Sequence, residues 1–252
     1  MRLAALLLLA AVSAPAGSQT VRLTIPLDGS LRAERLGPRE LAEVGAVVLT
    51  GVGHLVASQA GASDVFIPVA VAGWGGYVGA RALTELGFLG ELGLTGGDLG
   101  RAARDVALLS AGAGLGMAAY GAANGSLRLD RTLVPLLVLY PVWGITQQTL
   151  VQGFLTRHLD AAGLPVSAVV PVSAAAFGVV HVPNWPLTAA TTAMGGAFAP
   201  LYLRDGAVVP LGVAHGVLGA LFYVWVLDRD PYGEIFRGEC PRTADTCEAR
   251  RQ

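Results

Sequence analysis

Seven long apolar stretches constrain this chain more than anything else in it. They run over about residues 41–60, 65–83, 105–122, 133–157, 165–182, 187–203 and 207–227. Crossing hydrocarbon takes about 20 helical residues, and each stretch reaches roughly that length. The expected fold is therefore all-α, a polytopic transmembrane helical bundle of about seven spans. Composition agrees: 53% of the residues are hydrophobic and only 14% are charged, far from the balance of a soluble domain. Residues 1–18 are laid out like a secretory signal, with Arg2, an apolar run from Leu3 to Val12 and a small-residue close. A polar lead-in follows over 19–40, where Pro26 and Pro38 are expected to break regular structure. The membrane domain then spans 41–227, and a polar tail covers 228–252.

Net charge is −1 and no basic run occurs, which removes the electrostatic footprint of a nucleic-acid binder. All 17 basic residues are Arg. Their distribution over the loops favours a cytoplasmic start to the first span, whereas a cleaved signal would place that start outside. Cys240 and Cys247 both lie in the tail. They read equally well as a short disulfide loop or as two free thiols.

The connection over 84–104 carries Glu85, Glu91, Asp98, Arg101 and Arg104 and reads as an aqueous or interfacial loop. Glycines crowd the spans, and Gly112-x-Gly114-x-Gly116 and Gly212-x-x-x-Gly216 have the small-residue spacing that lets helix backbones approach in lipid. No carboxylate is expected at membrane depth, since between Asp105 and Asp205 the only acids, Asp130 and Asp160, sit at helix junctions. The polar groups expected inside the spans are Gln147, Gln148 and Gln152 on the fourth, His181 on the fifth, His215 on the seventh and His54 on the first. An amide in hydrocarbon needs a partner, so the glutamine cluster should face a bundle interior or cavity. Gln148 and Gln152 are one turn apart and share a face, with Gln147 rotated by about 100°. As bare residues, the glutamines read first as interhelical glue, and the histidines as satisfied buried imidazoles. His54, Tyr140, Trp143 and Trp185 read as structural or interfacial groups.

The order Gln147-Gln148-x-x-x-Gln152-Gly153-Phe154-Leu155, then Phe177-x-x-x-His181, then His215-x-x-x-Gly219 resembles the CPBP family of intramembrane glutamic endopeptidases, which includes CAAX prenyl proteases and bacteriocin-processing proteins. The family's motifs read Glu-Glu-x-x-x-Arg, Phe-x-x-x-His and His-x-x-x-Asn, and the resemblance covers about residues 130 to 227. It implies a polar cavity formed by the fourth, fifth and seventh spans, a bacterial inner-membrane location, membrane lipid and a membrane-tethered or prenylated peptide as partners, and no cofactor. Gln147 falls where the family has the Glu that activates water with the second-motif His. Gln148 and Gln152 stand for the second Glu and the Arg, and Phe177 and His181 keep the second motif. His215 keeps the imidazole that helps stabilise the oxyanion, while Gly219 replaces its partner Asn. An amide cannot take a proton near neutral pH, so the catalytic set implied is His181, His215 and a water held by Gln147, with hydrolysis impaired or lost. Two alternatives stand beside it. One is a non-catalytic binding or scaffold protein using the same cavity; the other, more remote, is a membrane protein with His181 and His215 as haem or metal ligands.

Overall fold

The computed structural model describes residues 36–129, 131 and 133–236. The signal-like segment, most of the lead-in and both cysteines lie outside the described residues. Every regular element described is helical: α1 (Pro38–Gln59), α2 (Ser63–Thr84), α3 (Phe88–Glu91), α4 (Leu99–Asn124), α5 (Leu133–Ala161), α6 (Val166–Val179), α7 (Trp185–Asp205), α8 (Val209–Val226) and α9 (Pro231–Phe236). Each expected span falls on one helix. Four of them, α1, α4, α5 and α8, are long and apolar enough to cross a membrane by length and composition. At 14 residues α6 extends roughly 21 Å, short of a ~30 Å hydrocarbon core. Gly73-Trp74-Gly75-Gly76-Tyr77 dilutes the hydropathy of α2, and three threonines do the same in α7. The helical form follows from lipid itself, where backbone donors and acceptors must be satisfied within the segment. Pro38 does not break structure as expected. It occupies the first turn of α1, where its missing N–H costs nothing and its fixed φ suits the helix.

The chain divides into two compact units. The first comprises Ala103–Ile145 and the described part of Pro210–Gln252; the second comprises the described part of Pro15–Ala102 together with Thr146–Val209.

In the first unit α5 and α8 meet through glycines. A Cβ on Gly216 would fall on the backbone of Pro141, one on Gly212 on Ile145 Cα, and one on Gly144 on the Gly212 carbonyl. The Gly212-x-x-x-Gly216 pair is thus a contact between backbones. The other glycine run behaves differently: Gly112 and Gly116 face open space, and Gly114 makes only an ordinary contact with Leu221. Leu133, Leu136, Ala220, Val224 and Trp225 form the adjoining core. Replacing Gly216 with Val is expected to destabilise the protein by about 1–3 kcal/mol, the usual cost of overpacking, seen as a lower unfolding temperature in detergent. Gly112→Val should leave that temperature near the native value, and equal effects of the two would refute the contact.

In the second unit α5 continues as a π-helical segment over Thr149–Thr156, packed against α1, α6 and α7. All of its residues except Leu150 are buried. The stretch after α2, expected as an aqueous or interfacial loop, keeps Glu91, Asp98, Arg101 and Arg104 exposed but is anchored through its apolar residues. Phe88 and Leu92 are buried against Phe154, and the Trp74 ring lies 5.0 Å from the Phe154 ring. The apolar residues between the charges decide this. Two backbone bonds hold the stretch down, Val208 N–H to the Gly93 carbonyl at 2.8 Å and Asp98 N–H to the Asp205 carbonyl at 2.7 Å. Gly93 (φ 78°) has a conformation that L side chains rarely adopt, and its Cβ would meet the Gly206 carbonyl.

Candidate functional site

The first motif lies on α5 where the helix widens from α to π. Such segments are rare and frequently mark functional sites. Gln147 is half-buried, whereas Gln148 and Gln152 are both 0% exposed. Neither the carbonyl nor the amino group of the Gln152 amide has a hydrogen-bond partner among the described residues. At the far end of the π segment the Thr156 hydroxyl shares a 2.8 Å hydrogen bond with that of Ser173. This bond ties the end of the π segment to α6, four residues before Phe177.

The second motif closes α6. Phe177 is buried, and its ring stands edge-on to the His181 imidazole at 5.6 Å. His181 lies in the turn just beyond α6 rather than in the helix. Its carbonyl accepts from Asn184 N–H at 2.9 Å, and the Asn184 side chain caps α7 by accepting from Leu187 N–H at 3.2 Å. Two close contacts lock α6 to α7: a Cβ on Gly178 would collide with Thr192, and one on Gly195 would press on Ala174. His181 Nδ1 lies 3.0 Å from the Phe177 carbonyl and 3.2 Å from Thr191 Oγ1. Neither Thr191 nor Asn184 stood out in the sequence. Both are short polar residues in a Thr-rich helix start, and only the fold turns them towards the imidazole and its turn.

The third motif belongs to the first unit. His215 is buried on α8. A Cβ on Gly219 would lie 3.9 Å from His215 Cδ2 and 3.5 Å from Tyr140 Cδ1. A side chain there would thus flank the histidine, and in its absence the Tyr140 ring is the near neighbour. Of the structural group, Trp185 is exposed and His54 is half-buried beside Phe66, their rings 6.3 Å apart.

The expectation that the spans hold no carboxylate fails at Glu43, near the start of α1, which is buried within the protein at 4% exposed. Its carboxylate accepts from the Tyr77 hydroxyl and the Arg81 guanidinium, and His158 Nε2 stands 2.6 Å from it. Arg81 also binds Glu85, lies 3.9 Å from the centre of the Phe88 ring, and through its hydrogen bond holds the Glu85 carboxyl below its ordinary range. Glu85 also pairs with Arg39 and Glu91 with Arg157, both carboxylates remaining partly exposed. The readable signal was Tyr77-x-x-x-Arg81-x-x-x-Glu85, a polar ladder at one-turn spacing. Glu43 cannot stand in for the missing base. On α1 it is Gly51 whose Cβ would meet Val180 beside the second motif, and Gly51 lies roughly 12 Å along the helix from Glu43.

No three His, Cys, Asp or Glu side chains converge to hold a metal ion among the described residues. Residues 130–221, from just before α5 into α8, match a family model described as type II CAAX prenyl endopeptidase Rce1-like. This supports the resemblance carried by the three motifs. No curated protein and no solved structure matches the chain.

Proposed function

We propose that this integral membrane protein is a CAAX-protease-like receptor for a membrane-tethered or prenylated peptide, its first motif disarmed so that peptide-bond hydrolysis is lost. The observation that carries this reading is the pair of fully buried amides, Gln148 and Gln152, at the places where the family has Glu and Arg. A carboxylate and a guanidinium there would form a one-turn ion pair. Two amides keep hydrogen-bonding capacity without burying charge, which preserves a polar site while removing its acid. Gln147 can orient a water but cannot deprotonate it. Phe177 packs the His181 ring.

The test uses the purified full chain in lipid nanodiscs with a fluorescent farnesylated CaaX peptide. Saturable binding without cleavage product is the expected result. Cleavage by the native chain would overturn the loss of hydrolysis, and absence of binding would overturn the receptor reading.

One observation favours a second reading, residual hydrolysis with His181 as sole base. Donation from Nδ1 to a carbonyl leaves Nε2 with a lone pair. On that reading native cleavage is measurable and His181→Ala abolishes it.

A further inference from the structure

We infer that Thr191 is a positioning residue that sets the tautomer of His181, keeping the proton on Nδ1 so that Nε2 is left as a hydrogen-bond acceptor. The inference rests on the site proposed above and goes further, because it names the atom that meets the ligand and the kind of group it meets.

The Phe177 carbonyl, 3.0 Å from His181 Nδ1, can only accept, so Nδ1 carries the hydrogen. Thr191 supplies the second constraint. Its hydroxyl lies 2.8 Å from the Leu187 carbonyl and 3.2 Å from the Thr188 carbonyl. Both are acceptors, so the single hydroxyl hydrogen is committed to the α7 backbone. The oxygen then presents a lone pair to Nδ1, 3.2 Å away. The Nδ1 hydrogen is shared between two acceptors, one on α6 and one on α7, and Thr191 is buried. Moving the proton to Nε2 would leave the Nδ1 lone pair facing the Phe177 carbonyl, and could keep the Thr191 contact only by turning the hydroxyl hydrogen away from the α7 carbonyls. A contact that fixes one nitrogen of a histidine in this way also fixes what the other nitrogen can do. Nε2 then accepts from a water O–H or a peptide N–H and repels a carbonyl oxygen. This separates His181 from any oxyanion-donor role.

The experiment is nitrogen NMR on the ligand-free full chain with labelled histidine, assigned by His181→Gln. The expected spectrum has a pyrrole-type Nδ1 and a pyridine-type Nε2 for His181. Thr191→Val, which keeps shape and removes the oxygen, should shift the tautomer ratio towards Nε2–H by roughly two- to tenfold, as expected for one neutral hydrogen bond. Thr191→Ser should restore the native ratio. A pyrrole-type Nε2 in the native chain overturns the inference, and that single spectrum decides it even if Thr191→Val does not fold. An unchanged ratio in a folded Thr191→Val protein overturns the role of Thr191. These readouts need neither ligand nor turnover, so they fail or succeed independently of the peptide-binding test.

Discussion

Gln147→Glu is expected to raise peptide-bond hydrolysis by about 10²–10⁴-fold over the native chain, the usual contribution of a general base. The change is isosteric, replacing one amide nitrogen by oxygen. Position 147 is also the member of the first motif that can accept a charge unaided, being half-buried while Gln148 and Gln152 are fully buried. A lone carboxylate at either buried position would be desolvated without a partner and would protonate or destabilise the fold. Restoring those two requires Gln148→Glu and Gln152→Arg together, so that the new charges compensate each other. The assay follows cleavage of a farnesylated peptide by native, single and triple variants, with Gln147→Glu, His181→Ala as the inactive control. Gain of cleavage in Gln147→Glu, lost again with His181→Ala, supports a retained but disarmed site. No gain in either the single or the triple variant would mean that the family's geometry has been lost along with its acid.

Glu43→Ala is expected to cost about 3 kcal/mol of stability, at the lower end of the range for breaking a buried ion pair. Arg81 and Glu43 side chains are 9% and 4% exposed. Removing the carboxylate leaves the guanidinium, the Tyr77 hydroxyl and His158 Nε2 without their shared acceptor. Glu85 still pairs with Arg81, which is why the upper end of the range is not expected. Glu43→Gln keeps an acceptor oxygen and should cost less. Glu43→Leu with Arg81→Met removes both charges and should be less destabilising than Glu43→Ala alone, a non-additive result that a double-mutant cycle reads directly. Unfolding of the purified protein in detergent, followed by helical circular dichroism, provides the measurement. A Glu43→Ala protein as stable as the native chain would show the cluster to be energetically idle.

The two predictions concern residues of opposite legibility. Gln147 was evident from the sequence, because three amides in one apolar segment are anomalous in any lipid-facing helix and their spacing matches a known motif. Glu43 was hidden. A single acid close to the start of an apolar run looks like an interfacial charge until tertiary contacts bring Tyr77, Arg81 and His158 around it. The same holds for the stretch from 84 to 104. Its charges are conspicuous, yet Phe88 and Leu92 decide its position because their burial against Phe154 outweighs exposing the chain to water. Gly112-x-Gly114-x-Gly116 and Gly212-x-x-x-Gly216 look alike as text, and only the second is a contact, since a small residue permits close approach without requiring it.

By itself, the amino-acid sequence determined that this chain is helical and membrane-embedded, and it showed a region that resembles the CAAX proteases in the spacing of its polar residues. Both follow from local quantities, apolar length and residue spacing along a helix. What only the tertiary structure decided is how polar groups are paired: Glu43 with Arg81 and His158, and His181 with Phe177 and Thr191. Hydrogen bonds and ion pairs depend on distances between residues far apart in the chain, and those distances exist only once the helices have packed.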